Sequence, residues 1–359
     1  MTGLKNFRSF SKIYVQDKAI SYIKKAMERD KIPHAYLFSG IAGVGKTSTA
    51  LAFTQALNCL NPVEGDGCGR CQTCRQIVNG NFPDINILRP DGRNIKIEQI
   101  RELNRELSFK PMSGRYRVSI LHEADKMTEE ASNSFLKTLE EPPPGNIIIL
   151  KVTEPLDLLP TIVSRCQKVP FRPLPEYVVG KWLRSEMGIS DEDSLLLSKI
   201  SEGSLGRAIE IYESGLLEER QNLLSRIIQL SGLTSSQTLE MAVEFSKQKK
   251  GTGHDKSSKK NVDLSELLGI WKTWYRDLIL MKMKDPPELL INFDFSRKLK
   301  SASKNFKMDN LIESVFIIDR AQRGLNRNLN LGLMMENLLL ELKRFADSQT
   351  RSNYNRSID

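Results

Sequence analysis

Short apolar runs alternate with amphipathic stretches over about the first 175 residues of the chain. Four of these runs have the length and composition of buried strands: AYLFSG (35–40), DINILRP (84–90), RYRVSILHEAD (115–125) and NIIILKVTEP (146–155). Helix-like segments separate them. Strands that alternate with helices predict a parallel sheet covered by helices on both faces.

The pattern changes after Pro175, where the strand signals stop. Three short amphipathic helices are predicted over 176–216, and the spacing of apolar residues is helical throughout 217–346. The lysine-rich stretch 247–261 interrupts this pattern, and we expect it to be a mobile loop. A solvated connection between helices is favoured there over a contact with DNA. The last residues, 347–359, are expected to be disordered.

Composition narrows the function classes without choosing one. Lys plus Arg is 53 and Asp plus Glu is 44, so the net charge is +9, which suits a polyanionic partner but does not require one. No apolar run approaches the roughly 20 residues of a membrane helix, and the first 20 residues lack the apolar stretch of a secretory signal. We therefore expect a cytoplasmic protein, and the odd count of five cysteines agrees with a reducing compartment.

The first predicted strand runs into a glycine-rich loop with the sequence GIAGVGKT (40–47), and a helix follows. This is the full G-x-x-x-x-G-K-[ST] pattern in the strand–loop–helix context that it requires. Such a loop binds phosphates through backbone N–H groups and the helix N-terminus, with the lysine on the β- and γ-phosphates and the hydroxyl on Mg²⁺. The predicted ATP-binding residues are Gly40, Gly43, Gly45, Lys46, Thr47 and Ser48.

A second acidic motif is expected at the end of the strand RVSIL, and here it is irregular. His122 stands where an aspartate would hold the Mg²⁺ shell, and an imidazole suits this hard cation poorly. Glu123 remains a candidate general base, and Asp125 compensates only if the strand end bends towards the nucleotide. His122 is alternatively an ordinary histidine at a strand end.

Four cysteines lie within sixteen residues, in the segment NCLNPVEGDGCGRCQTC. The spacing C-x8-C-x2-C-x2-C suits tetrahedral Zn²⁺, and a closed site with four thiolates leaves no position for water, so its role is structural. Redox chemistry or an iron–sulfur cluster is the alternative. The predicted ligands are Cys59, Cys68, Cys71 and Cys74.

Together these motifs resemble the bacterial clamp-loader ATPases, a branch of the AAA+ superfamily. The resemblance rests on the phosphate loop, the four-cysteine insert, NSFLKTLEEPPP (133–144) and TIVSRC (161–166), in this order along nearly the whole chain. It implies an α/β AAA+ (P-loop NTPase) module with a zinc-binding insert over 1–175, a small helical lid over 176–216 and an all-helical collar over 217–346.

The resemblance also implies partners and further site residues. The partners are gamma/tau-type and delta-type subunits in a hetero-pentameric ring, which loads the sliding clamp of DNA polymerase III onto primed DNA during replication. Thr153 matches the polar sensor of the γ-phosphate. Arg165 matches the arginine finger that reaches the nucleotide site of a neighbouring subunit.

Two positions indicate a subunit of this family that is not the motor. His122 weakens the metal site, and Gly206 stands where a motor has the arginine that senses the γ-phosphate. Arg207 is one residue later, which rotates it by about 100° on a helix. The chain also ends soon after the collar, and we expect this of a subunit that is not the motor. We expect ATP binding with weak or absent hydrolysis; the alternative is a gamma/tau-type motor.

Overall fold

The computed structural model describes residues 9–246, 263–284, 287–325 and 330–347. The predicted loop 247–261 lies outside these ranges, and so does the predicted tail except for residue 347, which ends the last helix. The chain divides into two compact units, Met1–Ile209 and Glu210–Asp359. The finer division into module, lid and collar stays a prediction.

The first unit is built on a five-stranded parallel sheet with the order β2-β3-β4-β1-β5. Four strands confirm the predicted ones, and the fifth was missed. That strand is only four residues long, ends in a proline and lies at the sheet edge beside β1, so it lacks the apolar run that identifies the others. The strands are β1 (Ala35–Ser39), β2 (Ile85–Leu88), β3 (Arg117–Leu121), β4 (Asn146–Val152) and β5 (Gln167–Pro170).

Helices connect these strands and continue beyond the sheet, and those after Pro175 confirm the three predicted short helices. They are α1 (Asp17–Glu28), α2 (Lys46–Asn58), α3 (Gln72–Asn79), α4 (Ile97–Leu107), α5 (Glu129–Glu140), α6 (Pro160–Val163), α7 (Glu176–Met187), α8 (Asp191–Ile200) and α9 (Leu205–Ser214).

Apolar side chains on the two faces of the sheet explain why it is stable in this register. β1, β3 and β4 are buried along their whole length. Residues of β1 and β4 pack with α4 and α5 in one continuous core. Aromatic rings form a second cluster, in which Tyr36 packs edge-on against Phe53 of α2 with 5.3 Å between ring centroids. Burial of both faces fixes which strand ends meet at the carboxyl edge, where the phosphate loop begins.

The second unit is helical in the residues described, as predicted. Trp271, Trp274 and Tyr275 are buried, and the Trp271 indole donates to the Leu223 carbonyl at 3.2 Å. These rings therefore pack in the interior of the second unit. The helices are α10 (Leu216–Gln229), α11 (Ser235–Ser246), α12 (Leu264–Met283), α13 (Ser296–Ser303), α14 (Met308–Gly324) and α15 (Leu331–Asp347).

In the part of the chain that the structure describes, every helix is too short or too polar to span a lipid bilayer.

Candidate nucleotide site, cysteine cluster and arginine

The phosphate loop lies between β1 and α2, as the motif predicts. Gly45 precedes the first turn of α2 with a left-handed backbone, and Thr47 and Ser48 follow in that turn. The buried Lys46 ammonium donates to the Ile41 carbonyl at 3.0 Å and also contacts the Gly40 carbonyl. Burial lowers the pKa of Lys46 to about 8, against the opposing charge of Asp125. The loop has the geometry to present N–H groups and a cation to a phosphate.

The start of α9 lies directly against the phosphate loop. The Gly206 N–H donates to the Gly43 carbonyl at 3.0 Å. A Cβ added to Gly206 would lie 2.7 Å from the Gly43 Cα, closer than atoms of a real side chain approach a backbone. Gly43 has a φ of 75° and meets Ser204 on the same side. An arginine at position 206 therefore does not fit this arrangement of loop and helix.

Lys151 near the end of β4 is the site residue that sequence reasoning missed. Its ammonium contacts the Thr47 hydroxyl and donates to His122 Nδ1 at 3.0 Å, and the side chain is buried. Burial, followed by the charges of Lys46 and Arg89, lowers the pKa of Lys151 to about 7. The only signal in the sequence was a lysine at the end of an otherwise apolar strand.

His122 is part of this cluster and is not an isolated histidine at a strand end. Burial, followed by the charges of Lys151 and Arg89, lowers its pKa to about 4, so the imidazole is neutral near pH 7. A neutral ring can accept a hydrogen bond from the Lys151 ammonium at Nδ1. One hydrogen-bonded group at the carboxyl edge of the sheet is therefore formed by His122, Thr47 and Lys151.

The other predicted site residues at the carboxyl edge of the sheet differ in their exposure and in their partners. Glu123 has a φ of 50°, pairs with Lys126 and is about half exposed, with 54 % of its side chain accessible. Burial raises the pKa of Asp125. Thr153 follows β4, is exposed, and its carbonyl accepts from the Gly40 N–H at 3.0 Å. The structure thus brings Thr153 and Asp125 near the phosphate loop, while Glu123 forms an ion pair with Lys126.

The four predicted metal ligands converge in one cluster. All four sulfur atoms lie within 4.8 Å of one another, and the Cys59–Cys71 and Cys68–Cys74 sulfur pairs are each 4.0 Å apart. Tetrahedral Zn²⁺ with Zn–S bonds of about 2.3 Å places its ligands about 3.8 Å apart. The residues therefore fit a tetrahedral metal ion.

Backbone N–H groups support this cluster. The Cys71 N–H donates to the Cys68 sulfur at 3.3 Å, and the N–H groups of Arg70 and Cys71 lower the pKa of Cys68 to about 6. Burial raises the pKa of Cys74 to about 12, although the Gln55 side chain bonds to its sulfur and opposes the rise. A bound cation would supply the charge that stabilises the Cys74 thiolate.

Arg165 lies just after α6, on the surface of the first unit. Its guanidinium pairs with the Glu140 carboxylate at 2.6 Å and donates to the Thr161 carbonyl at 3.0 Å. The side chain is 35 % exposed. This arrangement links the TIVSRC segment to the TLEEPP segment, so the two motifs of the sequence meet in space.

Gln16, before α1, is a second residue that sequence reasoning passed over. Its buried amide donates to the carbonyls of Val44 at 3.3 Å and Arg172 at 2.8 Å, and its oxygen accepts from the Arg172 N–H. One side chain thus ties the phosphate loop to the segment after β5. A lone glutamine carries no spacing signal, because its partners are backbone atoms distant in sequence.

The comparisons with known proteins agree with this geometry. The family model described as "DNA polymerase III, delta subunit" matches residues 15–175. The DNA polymerase III subunit delta' of Bacillus subtilis is 29 % identical over 336 residues, which is 92 % of this chain and 96 % of that protein. The DNA polymerase III subunit tau of the same organism is 34 % identical, over 62 % of this chain and only 38 % of its own length.

The chain is delta-prime-like, and its similarity is to the subunits of bacterial clamp loaders. The decisive observation is that the delta-prime relative matches along nearly its whole length, whereas the tau relative matches over only 38 % of its own. Among solved structures, a DNA polymerase III gamma-subunit-related protein of Thermotoga maritima aligns with 91 % of this chain and 99 % of its own at 21 % identity, with a TM-score of 0.48.

Proposed function

We propose that this delta-prime-like chain is a subunit of a DNA polymerase III clamp loader and helps to place the sliding clamp on primed DNA during replication. The observation that carries the proposal is the match to a delta-prime subunit over 96 % of that protein. The partners are gamma/tau-type and delta-type subunits in a hetero-pentameric ring, and the protein works in the cytoplasm.

Within that ring, the chain contributes Arg165 to the nucleotide site of a neighbour. The guanidinium is partly exposed at the surface and is oriented by Glu140 in the free chain. Negative charge spreads over the γ-phosphate oxygens during phosphoryl transfer, and a planar, permanently charged guanidinium stabilises it. This placement makes ATP hydrolysis in the neighbour conditional on assembly.

The chain's own phosphate loop binds ATP but hydrolyses it weakly or not at all. Lys46 and the N–H groups of the loop hold the phosphates, with Thr47 and Ser48 at the start of α2. Two features remove parts of a hydrolytic site: Gly206 leaves no sensor arginine, and the candidate base Glu123 is paired with Lys126. Thr153 remains as the polar sensor beside the loop.

The gamma/tau-type motor is the second candidate, favoured by the complete phosphate loop. A motor requires a metal ion held beside the γ-phosphate and a free general base. His122 at the metal position and the pairing of Glu123 both weigh against it. We therefore place motor activity in the neighbouring subunits.

The cysteine cluster holds one structural Zn²⁺ through Cys59, Cys68, Cys71 and Cys74. The ion supplies a cross-link for an insert that has few apolar residues of its own. Four sulfur ligands leave no open coordination position, which favours this role over redox chemistry.

Reconstitution tests the proposed function. The chain is mixed with gamma/tau-type and delta-type subunits of the same organism, and loading of a fluorescent sliding clamp onto primed DNA is measured with and without it. We expect co-elution of the chain with its partners in gel filtration and clamp loading that depends on its presence. Full loading in its absence, or separate elution, would contradict the proposal.

A further inference from the structure

Three cationic side chains lie close enough beside the phosphate loop of the first unit for their charges to interact. Lys46 belongs to the loop, Lys151 reaches it from β4, and Arg89 follows β2. Lys46 and Arg89 each act on Lys151 through their charge, and Glu123 partly opposes them. Two of these cations, Lys46 and Lys151, are buried, and buried like charges are destabilising unless an anion accompanies them. The cluster therefore favours binding of a polyanion.

The position of the Lys151 ammonium is the informative part of this cluster. In a phosphate-loop site the hydroxyl after the lysine and an acidic group after the neighbouring strand hold Mg²⁺. Here the hydroxyl of Thr47 is in contact with the Lys151 ammonium, and the acidic group is replaced by the His122 ring, which accepts from the same ammonium at 3.0 Å. One buried side chain thus contacts both groups that would surround the metal.

Mg²⁺ does not fit these residues. It requires oxygen ligands in octahedral geometry, and an imidazole nitrogen and an ammonium are not such ligands. A divalent ion at this place would also lie against the positive charge of Lys151. The expected role of Thr47 as a Mg²⁺ ligand therefore disagrees with the contacts that its hydroxyl makes.

We infer that Lys151 takes the place of the divalent metal, so that this chain binds nucleoside triphosphate through Lys46 and Lys151 without Mg²⁺. The inference rests on the proposed binding of ATP at the phosphate loop and adds how the phosphate charge is neutralised there. An ammonium supplies positive charge and hydrogen bonds to phosphate oxygens. It cannot supply the Lewis-acid coordination of a metal, which accords with a subunit that binds without hydrolysing.

His122 is a positioning residue in this arrangement. Its neutral ring and the Thr47 hydroxyl hold the ammonium beside the loop, and an aspartate at position 122 would instead draw Lys151 into an ion pair or recruit a metal. The state of the ring agrees with this role, because burial and the neighbouring cations keep it uncharged near pH 7. Glu123, the acidic group whose charge acts on Lys151, is paired with Lys126.

Isothermal titration of the isolated full chain with ATP tests the inference, once in buffer with Mg²⁺ and once with EDTA. For the unaltered protein we expect dissociation constants in the two buffers that agree within about threefold. K151M should weaken binding in EDTA by about tenfold or more, the loss expected for one charge-assisted hydrogen bond. K168M, which removes an exposed lysine of β5, should bind like the unaltered protein in both buffers.

A double variant makes the metal dependence itself the readout. H122D with K151A restores an acidic group and removes the competing cation, so it should bind ATP more tightly with Mg²⁺ than with EDTA. Mn²⁺ added with ADP should then give an electron paramagnetic resonance signal of protein-bound metal in the double variant and not in the unaltered chain.

Binding of ATP by the unaltered protein only in Mg²⁺ would overturn the inference, and so would unchanged binding by K151M in EDTA. Absence of ATP binding in both buffers would overturn it as well. None of these results touches the role as a clamp-loader subunit, because co-elution with the partner subunits and clamp loading are measured separately.

Discussion

Single residues decide what the phosphate loop of this chain can do. Thr47 and Lys46 complete the sequence motif, yet the Thr47 hydroxyl is engaged by Lys151 and the acidic position is occupied by His122. The sequence identified His122 as a departure from the pattern and could not identify its partner. The sequence did not predict Lys151 as a site residue, because a lysine near the end of an apolar strand ordinarily points to solvent. Only the sheet register shows that its side chain contacts the phosphate loop.

The burial of neutral His122 predicts a dependence of stability on pH. The pKa of His122 is lowered to about 4 in the fold, against about 6.5 in an unfolded chain. Between these values the unfolded chain binds more protons, so the contribution of His122 to the free energy of unfolding rises from pH 4 to pH 6.5 and is constant above. H122Q should therefore gain stability relative to the unaltered protein as the pH falls through this window.

The measurement is urea denaturation of both proteins, without nucleotide, at several pH values from 4 to 7.5. Comparing the two proteins at each pH cancels the carboxylates that titrate in the same range. A difference between the two midpoints that stays constant from pH 4 to 6.5 would show that the ring is not buried in its neutral form.

At the scale of elements, the apolar runs predicted four of five strands and the helices that follow them. β5 was not predicted, because its extended conformation depends on pairing with β1 and not on an apolar run of its own. The cysteine spacing predicted the sulfur cluster, since ligand spacing is a local property of the chain. The contact between α9 and the phosphate loop could not be predicted, because it depends on how two distant segments pack.

The cysteine insert should contain one Zn²⁺ per chain. C74S removes the buried member of the cluster and should reduce zinc content to near zero, because three ligands and a hydroxyl hold the ion poorly. C166A is the matched control: Cys166 is also buried but packs in the core of the sheet, so the zinc content should be unchanged. Elemental analysis of proteins purified without chelator checks both variants, and zinc-free unaltered protein would contradict the assignment.

The contact of α9 with the phosphate loop predicts opposite effects for two helical glycines. A Cβ at Gly206 meets the Gly43 backbone at 2.7 Å, so G206A should lower the free energy of unfolding by about 1–3 kcal/mol, the usual effect of overpacking. G180A adds a Cβ in α7 at ordinary contact distances, the closest being 3.6 Å, and should be neutral or stabilising by about 0.5–1 kcal/mol.

Thermal and urea denaturation of G206A and G180A measure both effects on the same unit. Equal stability of the two variants would indicate that α9 does not rest on the loop in solution. A stable G206A with weakened ATP binding would instead locate the effect in the loop itself.

For the whole molecule, we propose a structural and trans-acting role in a ring of subunits. The surface of the chain carries Arg165, which is oriented by Glu140. We propose that the chain's own phosphate loop binds nucleotide without the groups that hydrolyse it. The sequence motifs predicted Arg165 as a candidate, and the structure adds its pairing with Glu140, which the order of residues along the chain does not reveal.

The most direct test is steady-state ATP turnover by the reconstituted clamp loader, with either K46A or R165A introduced into this chain alone. We expect the isolated chain to show no sustained hydrolysis. In the complex, K46A should retain most of the clamp-stimulated turnover. R165A should lower it although assembly is intact, by less than the roughly 10³–10⁵ attributed to such an arginine at a single site, because the other interfaces keep theirs. Turnover that collapses with K46A and is unchanged with R165A would contradict the trans-acting role and would indicate that this chain is a motor.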